Sequence, residues 1–177
     1  MGTVYNIGNN RKFYIILERG GWFVQLRQVQ EQDYLKLSDV VNEWGGAINV
    51  FQTVPRFLFA HFQKSSFIIE TKQETVGILV GLISQTNPKQ AYIHFVAVNP
   101  DFRRQGIARK LYQHFFEVVK EYGVQEVFSM TAPINRVSIA FHESLGFSHS
   151  RIENYNGPGE HRIEFYRELS KQLLSIE

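Results

Sequence analysis

The sequence predicts an α/β fold, a central twisted mixed sheet flanked by helices. Three observations carry that reading. Stretches alternating with period two are interleaved with stretches whose apolar residues recur at helical spacing. A largely apolar run, Ala91–Val98 (AYIHFVAV), passes through a short basic loop into the strongest helical pattern of the chain. The 177 residues are 44% hydrophobic and 14% aromatic, enough for one core without disulfides or metals.

Residues 1–22 read as an N-terminal extension of uncertain role, and 23–177 as a single domain. Met1–Asn10 is polar and rich in Gly and Asn, Lys12–Leu17 has the pattern of one strand, and Gly20-Gly21 breaks it. The extension is either a loose or edge-pairing appendage or a stretch upstream of the natural start. Val24–Arg27 alternates as a strand. Gln32–Trp44 carries Tyr34, Leu35, Leu37, Val40, Val41 and Trp44 at helical spacing, and Gly45-Gly46 ends it. A short helix is expected over Val54–Phe62, with Pro55 in its first turn. Phe67–Glu70 and Thr75–Ser84 form a hairpin around the polar turn at residues 71–74. Ala91–Val98 reads as a strand buried on both faces. The next helix repeats Ile107, Leu111, Phe115, Val118, Val119 and Tyr122, and Gly123 caps it. Strand Val127–Thr131, helix Val137–Leu145 stopped by Gly146, and strands Ser148–Glu153 and Arg162–Arg167 follow.

Composition excludes several chemistries. Without cysteine there is no disulfide, Cys-ligated zinc, iron–sulfur cluster or thiol nucleophile. The histidines show neither HxxxH nor HExxH spacing, so no metal is expected. A net charge of +2 gives no strong field for nucleic acid or membrane and leaves room for a local basic patch. The longest early apolar run, Phe13–Leu17, is too short to span a bilayer or serve as a signal peptide, which predicts a cytoplasmic protein.

The chemistry concentrates where Val96-Ala97-Val98-Asn99-Pro100 leads through Arg103, Arg104, Gln105 and Gly106 into Ile107, Ala108 and Arg109. Free N–H groups and the positive end of the helix dipole converge there, which suits a phosphate. Gly106 permits close approach of a ligand, and the arginines add charge. The loop matches neither GxxxxGK[ST] nor GxGxxG.

Arg103–Ala108 satisfies [QR]-x-x-G-x-[GA] and so resembles the acyl-CoA motif of the GNAT superfamily of N-acetyltransferases. Asn135–Phe147 (NRVSIAFHESLGF) is similar to that family's second element, N-x-x-[AS]-x-x-[LF]-Y-x-x-x-G-F. The resemblance covers about Val24–Glu168. It implies the GNAT acyl-CoA N-acyltransferase fold and acetyl-CoA as co-substrate. It also implies that the backbone of Val96, Ala97 and Val98 pairs with the pantetheine arm, that the amides of Arg104–Arg109 hold the pyrophosphate, and that Asn135 contacts the cofactor. Asn135 equally suits a helix N-cap.

The family's tyrosine, proposed there as the acid for the leaving thiolate, is replaced by His142, which either donates that proton or packs beside the sulfur. No carboxylate lies on Ala91–Val98. Tyr92 and His94 share one face of it, and His94 is either the general base or a core histidine. Arg56 is a candidate clamp for an acceptor's anionic group or a solvated residue, and Asn156–Gly159 is a late turn. The expected function is direct transfer of acetyl from acetyl-CoA to a primary amine on a small molecule or peptide. The protein acting is expected to be a monomer or homodimer. The rival is a catalytically silent acyl-CoA-binding regulatory protein of the same fold.

Overall fold

The computed structural model describes residues 4–6, 13–17, 22–44 and 53–169. In chain order they form strands β1 (Val4–Asn6), β2 (Phe13–Leu17) and β3 (Trp22–Gln28), then helices α1 (Asp33–Trp44) and α2 (Phe57–His61). Strands β4 (Phe67–Glu70), β5 (Thr75–Ile83) and β6 (Gln90–Val98) lead to helix α3 (Ile107–Glu121) and strand β7 (Glu126–Thr131). Helix α4 (Arg136–Ser144) and strands β8 (Ser148–Ile152) and β9 (Arg162–Glu168) complete the order. Two compact units divide the chain: Met1–Gly81 with Phe95–Val118, and Leu82–His94 with Val119–Glu177.

In the first unit the strands are neighbours in the order β1-β2-β3-β4-β5-β6. The expected strand in the extension is β2, and it pairs antiparallel with β3 from Phe13↔Leu26 to Leu17↔Trp22. β1 pairs with β2 in turn, a strand its polar sequence did not announce. The expected breaks at Gly20-Gly21 and Gly45-Gly46 lie outside the described residues.

Helix α1 buries Leu37, Val41 and Trp44, spaced so that they form one stripe. Leu35 and Val40 fall on other sides of the helix and are exposed. Helix α2 is shorter than expected, because Pro55 stays outside it and Phe62 leaves the helical region at φ −120°, ψ 32°. Strand β5 is buried continuously from Val76 to Gly81. Its two glycines receive α3. A Cβ on Gly77 would stand 2.7 Å from Ile107 Cγ2, and one on Gly81 2.3 Å from Phe115 Cε2. Ile107, Leu111 and Phe115, one helical turn apart each, thus lie directly on the strand and fix where α3 begins.

An ionic clip closes this unit. Arg27 on β3 binds Asp33 at the start of α1 through two bonds of 2.7 and 3.0 Å, and Glu70 on β4 through two of 2.8 and 3.0 Å. Asp33 also accepts the Gln30 N–H at 2.7 Å. The two carboxylates hold the guanidinium's pKa above its ordinary value against the opposing effect of burial, which is the largest single influence.

In the second unit the order is β6-β7-β9-β8. β6 and β7 are parallel and the remaining pairs antiparallel. One sheet face buries Ala91, Ile93, Val127, Ser129, Ile163 and Phe165. From α4, His142 stacks on Phe165 with centroids 3.8 Å apart. The opposite face carries Tyr92, Phe128, Glu164 and Tyr166 half-buried and His94 exposed. β6 is therefore not buried on both faces as its composition suggested. Side chains alternate, and α4 packs on the Phe165 face.

Candidate active site

Pairing between β6 and β7 runs from Gln90↔Glu126 to Ile93↔Ser129, and β6 continues as a strand to Val98. Val96, Ala97 and Val98 are half-buried at its end. The turn that follows is built around Asn99, a buried residue the sequence reading passed over. Its N–H donates to Val76 O at 2.9 Å, its Oδ1 accepts the Asp101 N–H at 3.0 Å, and its Nδ2 donates to Glu74 Oε2 at 2.9 Å. Pro100–Phe102 makes one 3₁₀ turn, pinned by buried Phe102. Arg104 and Gly106 then take positive φ values of 61° and 81°. A Cβ on Gly106 would have nothing within 4 Å, so the backbone here is open to a ligand.

The first helical bond of this turn is Lys110 N–H to Gly106 O at 3.0 Å. The amides of Ile107 and Ala108 precede that bond, where the helix supplies no i−4 carbonyl. The first turn of α3 has no acidic residue. It carries Arg109 and Lys110 instead, at the end where the dipole is already positive. Burial lowers the Lys110 pKa. Arg104, Gln105 and Arg109 are exposed, Ala108 is half-buried and Ile107 is buried. This concentration of positive potential is what an anion offsets.

Arg103 is placed differently from its neighbours. Its Nη2 donates to Trp44 O at 2.7 Å and its Nε to Val98 O at 3.2 Å. The side chain expected to add charge beside the cofactor binds backbone carbonyls. Only a view of α1's end reveals that use.

In the second unit, burial first, then Tyr155 and Glu164, push the Tyr92 hydroxyl up to about 12. It is a donor throughout the neutral range. His94 is exposed two residues further along the same face, so its burial as a core histidine does not occur. Asn135 caps α4, its Oδ1 accepting the Ser138 N–H at 3.1 Å. His142 is 2% exposed. Its Nδ1–H donates to Ser138 O at 2.8 Å, and its ring meets Phe147 edge-on as well as stacking on Phe165. Burial lowers its pKa, and the bond to Ser138 O opposes this. Burial thus disfavours the imidazolium form that acid catalysis needs, and the ring packs against Phe147 and Phe165. Ser138 Oγ lies 3.4 Å from the same Nδ1, but that nitrogen is already donating and is no base for the hydroxyl.

Arg56 pairs with Glu31 at 3.0 Å, beside a polar groove of about 420 Å³ lined with Gln30, Gln32 and Gln63. The late turn closes on itself, with Gly159 N–H donating to Asn154 Oδ1 at 2.8 Å. Among the described residues no helix is long and apolar enough to cross a membrane.

Comparison with known proteins bears on the family and the fold. The sequence profile described as the acetyltransferase (GNAT) family matches residues 27–147. The [ribosomal protein bS18]-alanine N-acetyltransferase of Escherichia coli (strain K12) is 35% identical over 74 residues, which cover 41% of this chain and 50% of that protein. The chain thus spans about half the length of this curated relative. Ard1 from Thermoplasma volcanium superposes with a TM-score of 0.71 at 20% identity, over 84% of this chain and 99% of that one. The diaminobutyrate acetyltransferase EctA from Paenibacillus lautus, solved with L-2,4-diaminobutyric acid and coenzyme A, gives 0.65 at 18%, over 82% and 95%. At these identities the two structures establish the fold.

Proposed function

This chain belongs to the GNAT acetyltransferase family, and we propose that it transfers the acetyl group of acetyl-CoA directly to a primary amine. The observation that carries the reading is the acid-free, cationic first turn of α3 behind the open Gly106 backbone. Amides of residues 104–109, with Arg104 and Arg109, would hold the pyrophosphate. The continuing backbone of Val96–Val98 would pair with the pantetheine arm as an added strand and hold charge developing on the thioester oxygen. Asn135 would add a polar contact while capping α4. Acetyl-CoA supplies the activated acyl group, and the attacking amine must first lose a proton. His94, exposed on β6, is the side chain we assign to receive it.

The chain has no cysteine to carry the acetyl group, and His142 Nδ1, which donates to a carbonyl, is not the base that would activate Ser138 as a carrier. The peptide α-amine is the acceptor class to try first, since the Escherichia coli relative is named for an alanine of a ribosomal protein. We assign the reaction to residues 23–177 and give the extension no part in it.

The test is release of free thiol from acetyl-CoA against a panel of peptide, polyamine, aminoglycoside and small-metabolite amines. Release that depends on one amine class supports transfer. Coenzyme A binding without turnover on any amine would favour a silent acyl-CoA-binding protein. Intact mass after acetyl-CoA alone should show no acetyl adduct, and an adduct discharged by an amine would overturn direct transfer.

A further inference from the structure

We propose that Arg103 is a positioning residue that clamps the end of α1 to the end of β6 and so holds the Arg104–Gly106 turn open to an anion before one arrives. The inference rests on the functional reading above and adds a division of labour within the loop. Three observations support it. First, the guanidinium spends two donors on main-chain carbonyls, Trp44 O at 2.7 Å and Val98 O at 3.2 Å. Trp44 ends α1 and Val98 ends β6. Second, α1 has no basic residue in its own last turn. The negative end of that helix is therefore met by a cation from another element. Third, the residue after Arg103 sits at φ 61°, a conformation L side chains avoid. Among the described residues no hydrogen bond of the Arg104 side chain holds it there. The turn is held on both sides: downstream, Gln105 Nε2 donates to Asp101 O at 3.2 Å, and upstream Arg103 is fixed at both its fork and, through its N–H to Pro100 O at 3.2 Å, its backbone.

Arg103 thus acts through the loop. Pre-ordering lowers the cost of binding, so the effect belongs to cofactor affinity.

The experiment compares Arg103→Lys and Arg103→Ala with the wild type. It uses calorimetric titration with coenzyme A at two salt concentrations, and acetyl-CoA kinetics with an amine the wild type accepts. Both variants should bind coenzyme A about tenfold more weakly, because a lysine cannot reproduce a planar fork spanning two carbonyls. KM for acetyl-CoA should rise in step while kcat at saturation holds. The salt dependence of binding should match wild type, since no charge has left the phosphate. Recovery of affinity in Arg103→Lys, with a weaker salt dependence in Arg103→Ala, would overturn positioning in favour of direct phosphate contact. A lower melting temperature with unchanged affinity would reduce Arg103 to a stabilising contact. Should the alanine variant fail to fold, the lysine variant carries the test alone. Wild type that does not bind coenzyme A would instead bring down the functional reading, and this one with it.

Discussion

Gly106 and Arg104 both adopt left-handed backbone, but only Gly106 does so without strain. Gly106→Glu meets no neighbouring atom but strains the backbone at φ 81°, by about 1–2 kcal/mol, which the fold should survive. Its carboxylate would meet the phosphates at the point of closest backbone approach, and coenzyme A affinity should fall roughly hundredfold. Titration calorimetry with circular dichroism as a fold control checks this, and normal binding would remove the motif assignment. His142 makes the opposite prediction. Its ring is buried against Phe165 and Phe147, so His142→Phe should leave kcat within about threefold of wild type with an unshifted pH profile. A large kcat loss that removes one limb of the profile would restore the acid role. The sequence motif located this residue but not its orientation. Which way a helical side chain points depends on the strand beneath it, here β9, whose Phe165 lies 23 positions later in the chain.

The elements themselves were largely legible, because periodicity records which face meets a core. Helix α3 starts at Ile107 as its pattern predicts, and α4 begins after Asn135, which does cap it. The misses have local causes. β1 owes its existence to pairing with β2 and not to its own composition. The burial of β6 was overestimated, since an apolar run does not say whether helices cover both its sides. The ionic clip joins Arg27 and Asp33 to Glu70, which lies 43 positions from Arg27, too far in sequence for the three to be read as a group. Replacing its centre by Arg27→Met leaves two carboxylates without a cation. The cost should be about 2–3 kcal/mol, less than for a fully buried pair because Glu70 keeps some water. Urea denaturation measures it, and an unchanged midpoint would show the clip to be energetically idle.

At the scale of the whole molecule, two properties follow from how the chain is divided. Deleting residues 1–21 removes β1 and β2 and exposes the edge of β3, which favours self-association. Every residue assigned to the cofactor lies downstream, so the coenzyme A dissociation constant of the soluble fraction should stay within about twofold. Loss of binding would place the extension inside the catalytic domain. Acid sensitivity has a named source as well. His114 on α3 packs its ring against Phe67 at 4.6 Å, and burial lowers its pKa from 6.5 to about 4. Between those values the unfolded chain binds the proton and the folded chain does not. Stability is therefore full above pH 6.5 and falls as the pH drops towards 4, by up to about 3 kcal/mol from this group. His114→Leu should flatten that part of the stability–pH curve, and parallel curves would exclude His114 as the cause. A last consequence belongs to Gly77 and Gly81, on which Ile107 and Phe115 rest. They set the depth at which α3 is seated, and so the place where its first amides emerge. A methyl group on either would lift the helix like a shim, displacing the anion seat from below. A screen for variants that fail to retain the cofactor should hence return positions in the middle of the hydrophobic interior, and attempts to stabilise β5 by exchanging glycine for alanine would trade rigidity against ligand affinity.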